Sequence, residues 1–137
     1  MSLPAKLAAA VRERAAHRCQ YCLMHQSLQG ATFHVEHILP RIKGGTDELA
    51  NLTLACPSCN LRKADRTTAI DPASGTSVPL FHPGRDIWSE HFRFNGSRIE
   101  GTTAIGRATV AALDFNHPRR QRIRVVERRL GLHPSVD

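Results

Sequence analysis

Phe33-His34-Val35-Glu36-His37-Ile38-Leu39-Pro40, followed by Lys43-Gly44-Gly45-Thr46-Asp47, lies between two cysteine pairs, Cys19-Gln20-Tyr21-Cys22 and Cys56-Pro57-Ser58-Cys59. Each Cys-x-x-Cys pair can offer two thiolates from one tight turn, and two pairs complete a tetrahedron around Zn2+. Four thiolates leave no open position, so Cys19, Cys22, Cys56 and Cys59 read as a structural site. The alternative is two disulfides or free thiols. The pairs are separated by 33 residues, more than a compact zinc ribbon uses, so a sizeable unit sits between them. Thr32 to Ile38 has the β-branched and aromatic residues of a strand. Residues 43 to 47 read as a loop, and Leu52 to Ala55 as a second strand. Pro57 opens a helix running to about Thr67, with Arg62, Lys63 and Arg66 on it.

Upstream, Ser2 and Pro4 look like a cap and a first-turn proline, and Leu7, Val11 and Ala15 place an amphipathic helix over 4–17. The N-terminus has no apolar run long enough for a signal peptide or a membrane span. The expected setting is cytoplasmic, where thiols stay reduced and bind metal rather than form disulfides. Downstream, Asp71-Pro72-Ala73-Ser74-Gly75 is a turn or linker. Asn95-Gly96 between alternating residues marks a hairpin, and 104–114 and 118–130 read as helices. The expected class is α+β: a stapled finger over 1–70 and a hairpin-and-helices lobe over 71–137 that packs on it.

The chain has 137 residues, a formal net charge of +7 and only 5% aromatic residues. So small a core invites a metal staple. The positive surplus favours an anionic partner, with nucleic acid first; a merely soluble basic protein is the plain alternative.

The order acid-His at 36–37, Pro40, Gly44-Gly45, Asn51-Leu52 and Cys56-x-x-Cys59-Asn60 resembles the HNH endonuclease family in its four-cysteine, zinc-bearing form. The resemblance spans roughly Cys19 to Arg66. It implies a ββα-metal finger, with His37 as general base and Asn51 bracing the loop through backbone hydrogen bonds. It also implies Glu36 and Asn60 as ligands of a catalytic cation. Oxygen donors of this kind suit Mg2+ or Mn2+. Phosphodiester hydrolysis needs an activated water and a charge sink, which a near-neutral histidine and an openly coordinated cation can supply. Adjacent strand residues point to opposite sides, so Glu36 and His37 can serve one phosphate only where the strand ends; Pro40 and the glycines fit such a break.

The implied partner is DNA, with RNA the other possibility, and no membrane. His34 shares a strand face with Glu36 and is a contact candidate, or a solvent-facing histidine. Lys63 and Arg66 either bind phosphate or solvate a helix face. Arg120, Arg124 and Arg128, at i, i+4 spacing, either track a nucleic-acid backbone or form a solvated stripe. His17, His25, His82, His91, His117 and His133 read as structural or surface residues. The segment from Leu80 to Val110 looks like an extension found behind the finger in some bacterial HNH proteins. A non-catalytic zinc module that binds nucleic acid is the competing class, but it gives no reason for Glu36, His37 and Asn60.

Overall fold

The N-terminal amphipathic pattern becomes helix α1 (Ala5–Arg14), which buries Val11 completely. The computed structural model describes residues 3–136. Pro4 holds the cap position, and Ser2 lies outside the described residues. The helix stops short of the expected residue 17 because Ala16 and His17 adopt positive φ, 53° and 60°, which a right-handed helix cannot continue through. That bend delivers the chain into the first cysteine turn, closed by Leu23 N–H donating to Cys19 O at 2.8 Å.

Strand β1 (His34–His37) then pairs antiparallel with β2 (Leu52–Ala55), from His34 opposite Ala55 to His37 opposite Leu52. β2 is buried along its whole length, whereas His34 on β1 is exposed. Helix α2 (Pro57–Lys63) packs on both strands. Cys56 caps it, with its sulfur accepting from Cys59 N–H, and Pro57 sits in the first turn, where no donor is missed. α2 ends earlier than the expected Thr67, at Ala64, whose φ is 48°. The two-strand, one-helix finger is therefore present.

The turn expected at 71–75 joins a second hairpin, β3 (Thr68–Ile70) and β4 (Ser77–Pro79). Asp71 organises it. Its fully buried carboxylate accepts from Ala73 N–H, from the Ser74 hydroxyl and from two nitrogens of Arg107 at 3.0 Å each. A short helix α3 (Trp88–His91) follows, then β5 (Phe92–Asn95) and β6 (Arg98–Gly101), turned at Asn95-Gly96 as the sequence suggested. Helices α4 (Ala104–Ala112) and α5 (Pro118–Arg129) close the chain.

The architecture is α+β, with small hairpins rather than one large sheet. One cluster of buried side chains runs through both halves: Val11, Tyr21 and Leu54 join Phe81, Trp88 and Phe115. Trp88 Nε1–H donates to Tyr21 O at 2.8 Å, deep inside this cluster. No helix is long and apolar enough to cross a membrane among the described residues.

Candidate nuclease site and its four-cysteine cluster

The two cysteine turns meet. The four sulfurs of Cys19, Cys22, Cys56 and Cys59 lie within 4.8 Å of one another and all four residues are buried. Cys22 Sγ and Cys56 Sγ are 3.8 Å apart. Tetrahedral zinc with bonds of about 2.3 Å sets sulfurs about 3.8 Å apart, so the cluster fits the ion. No disulfide joins any of the four. Burial pushes the Cys19 and Cys59 thiols above their ordinary value, whereas at Cys22 hydrogen bonds from the other three cysteines outweigh burial and hold it below; the thiols that keep their protons release them to a bound ion.

Below the staple, β1 ends at His37. The chain then enters a tight loop that two glycines make possible. Gly44 takes φ 90°, and a Cβ on Gly45 would sit 1.7 Å from Leu39 O. Asn51 pins this loop. Its Oδ1 accepts from Leu39 N–H at 2.9 Å, and its Nδ2 donates to Leu39 O at 3.0 Å and to Thr46 O at 2.8 Å.

The loop delivers Asp47 to His37. His37 Nε2 and Asp47 Oδ1 are 2.7 Å apart, and Arg41 Nε donates to the same oxygen at 3.0 Å. Hydrogen bonds from Arg41 and then His37 hold the Asp47 carboxyl below its ordinary range.

Glu36 occupies a different setting. Its Oε1 is buried and has no hydrogen-bond partner, and Lys63 Nζ is 3.9 Å away. Burial drives its carboxyl up to about 7, although Lys63 and Tyr21 pull the other way. The buried Tyr21 hydroxyl faces the same carboxylate without a well-formed hydrogen bond. A buried carboxylate oxygen short of hydrogen bonds fits a cation ligand position, since a buried polar group needs a partner or an ion. Asn60 lies half-buried on α2. Among the described residues, the four cysteines are the cluster in which three or more His, Cys, Asp or Glu side chains converge. A cation at Glu36 would therefore have few protein ligands.

Residues 19–66 match the family model described as HNH endonuclease. This segment is an HNH endonuclease domain. No curated protein and no solved structure matches the chain.

Around the HNH domain the expected nucleic-acid contacts divide. His34 is exposed on β1. Arg66 is exposed, and its guanidinium donates to Arg62 O and Ala112 O. Lys63 is buried rather than solvent-facing, with Nζ 3.4 Å from His37 O and close to Glu36. The arginine stripe on α5 requires correction. Arg120 and Arg124 are 5% and 3% exposed, so neither half of the expected choice, phosphate contact or solvated face, describes them. Arg120 donates to Leu113 O, Asp114 O and Cys59 Sγ, and Arg124 to Ser97 O and Phe115 O. Each is buried because it ties loop carbonyls, or the thiolates, to the helix. Arg128 alone of the three is exposed, donating to Gly96 O.

Three residues near the HNH site carry little signal in the sequence. Asp47 reads as part of a loop; only its place after Gly44-Gly45-Thr46 hints at proximity to His37. Tyr21 carried no signal beyond its place between two cysteines. His82, which reads as a structural or surface residue, lines a cleft beside Lys63 and Asn51.

Proposed function

We propose that the chain is an endonuclease that hydrolyses phosphodiester bonds in DNA. In this reading His37 is the general base, Asn51 braces its loop, and Glu36 and Asn60 hold one Mg2+ or Mn2+. The observation that carries it is the His37–Asp47 contact. An ionised carboxylate can only accept, so the hydrogen sits on Nε2 and Nδ1 keeps a lone pair for a proton from water. As that proton arrives, the ring turns positive, and a carboxylate 2.7 Å away steadies it. His37 is partly exposed, at 16%, which lets a water reach it. Asn51 keeps Leu39 and Thr46 in place, and with them both ends of the loop that carries Asp47. The cation, when bound, supplies positive charge to the phosphate and the departing oxygen. Lys63 adds a fixed positive charge at the edge of the same site.

The experiment is nicking of supercoiled plasmid by purified full chain with Mg2+ or Mn2+. His37→Ala should keep zinc content and folding but slow nicking by roughly a hundredfold or more. Nicking at the wild-type rate by His37→Ala would overturn the mechanism.

A second reading, a non-catalytic nucleic-acid-binding zinc module, is favoured by one observation. Lys63 already sets a positive charge 3.9 Å from Glu36 without any ion. That reading expects plasmid binding with no nicking at any metal concentration.

A further inference from the structure

Between the finger and the turn that follows β4 lies a cleft of about 290 Å³. Lys63 and Arg66 reach it from the finger side, and His82 and Arg85 from the extension. Its wall is apolar, with Leu39, Pro79 and Phe81 among the lining residues. Among the described residues, no acidic side chain is part of its lining. Asn51 also lines it, and Ile38 and Leu39 directly follow His37, so the cleft begins where the HNH site ends.

The extension is seated tightly here. A Cβ on Gly84 would lie 2.9 Å from Ala50 O, in the residue before Asn51. His82 N–H donates to Asp86 at 2.8 Å, which fixes the turn. Gly84 N–H donates to His82 Nδ1 at 3.1 Å, so a neutral His82 carries its hydrogen on Nε2 and is a donor. Ala112 O accepts from Arg66 at 3.2 Å, so α4 helps to hold that guanidinium in place. At about 290 Å³ the cleft has room for more than a lone phosphate. Arg66, Arg85 and the His82 donor, over an apolar wall, suit a phosphate joined to its sugar, with Asp86 engaged by the backbone of the His82 turn.

We propose that this cleft is a second backbone subsite: Arg66, Arg85 and His82 take the phosphate next to the scissile one, and Leu39 and Pro79 take its sugar. The subsite rests on the nuclease reading only in naming the scissile phosphate. It gives the extension a task in substrate binding that the finger alone does not perform.

The test uses full-length protein and a fluorescein-labelled 20-base-pair DNA duplex, without added Mg2+, titrated at several salt concentrations. Each phosphate contact contributes a little under about one unit to the log–log salt slope. Arg85→Ala should weaken binding several-fold and lower the slope by about 0.9. Arg85→Lys, which keeps the charge, should restore most of the slope. Arg122→Ala, an exposed arginine on α5 away from the cleft, should leave the slope at the wild-type value. In plasmid nicking, Arg85→Ala should raise KM with kcat nearly unchanged. Wild-type affinity and slope in Arg85→Ala overturn the subsite even if wild type nicks and His37→Ala does not. A lost slope in Arg85→Ala, with no nicking by wild type, supports the subsite while removing the nuclease reading.

Discussion

Replacing Arg120 with alanine tests whether the last helix stabilises the zinc knuckle. The guanidinium is 5% exposed. It donates to Leu113 O at 2.6 Å, to Asp114 O at 2.8 Å and to Cys59 Sγ at 3.0 Å, and Cys56 Sγ lies 3.7 Å away. Burial lowers its proton affinity, but the thiolates of Cys22, Cys59 and Cys56 raise it further, and the net direction is up. Zinc with four thiolates carries two negative charges, so a buried cation at this position offsets part of a net charge that water cannot reach. Truncation to alanine removes a charge-assisted bond to sulfur, about 1.5–3 kcal/mol. It also leaves two carbonyls short of a donor, each about 1–3 kcal/mol where water does not enter. Contributions overlap, and losing one partner of a buried charged pair costs about 3–5 kcal/mol. Against a typical total of about 5–15 kcal/mol, this is a large fraction. We expect zinc-loaded Arg120→Ala to unfold at clearly lower urea, and to bind zinc about ten- to a hundredfold more weakly. Arg120→Lys keeps the charge but not the fork and should fall between. The assays are urea unfolding and competition for zinc with a chromophoric chelator. A wild-type urea midpoint together with wild-type zinc affinity in Arg120→Ala would refute the reasoning.

Asp47→Asn should retain fold and zinc but slow nicking by roughly tenfold or more, because the amide cannot steady a positive imidazole; unchanged single-turnover rates would remove Asp47 from the site. Asp71→Asn should reduce stability at neutral pH and flatten its acid dependence. Arg107 first, then Ser74, holds the folded Asp71 carboxyl well below the usual range. The stability it contributes is thus full above the unfolded value of about 3.9 and is lost as pH falls through the lower folded value. Urea midpoints from pH 7 to pH 2 would show it. Cys56→Ser should leave the finger unfolded and zinc-free, and elemental analysis after dialysis should find about one zinc per wild-type chain; a folded, metal-free wild type would contradict the staple.

The sequence revealed most where spacing alone carries the chemistry. Two Cys-x-x-Cys pairs announce a four-sulfur cluster whatever fills the gap, and Asn95-Gly96 dictates a turn whatever packs against it. The strand, loop, strand, helix order also followed from local pattern. What stayed hidden depended on tertiary contact. Arg120 and Arg124 have the spacing of a surface stripe, and nothing local reveals that Leu113, Phe115 and the cysteine sulfurs surround them. Asp71 sat in a run that reads as linker; its burial is set by Arg107, 36 residues away. Asp47 lies ten residues from His37, and only the Asn51 bonds to Leu39 and Thr46 bring the loop round to make them partners.

The contact between Arg120 and the cysteine sulfurs also imposes an order of assembly. A ribosome releases the chain from its N-terminus, so all four cysteines emerge before α5 exists. Arg120 follows Cys59 by 61 residues, and through that interval the thiolates lack the cation that later covers them. Metal capture can therefore precede capping, with the nascent finger open to zinc and to oxidants alike. Docking of α5 then converts a labile thiolate cluster into a sealed one. A chain cut short before residue 120 would keep every cysteine of the cluster and lose that cover, together with buried Arg124 and Glu127.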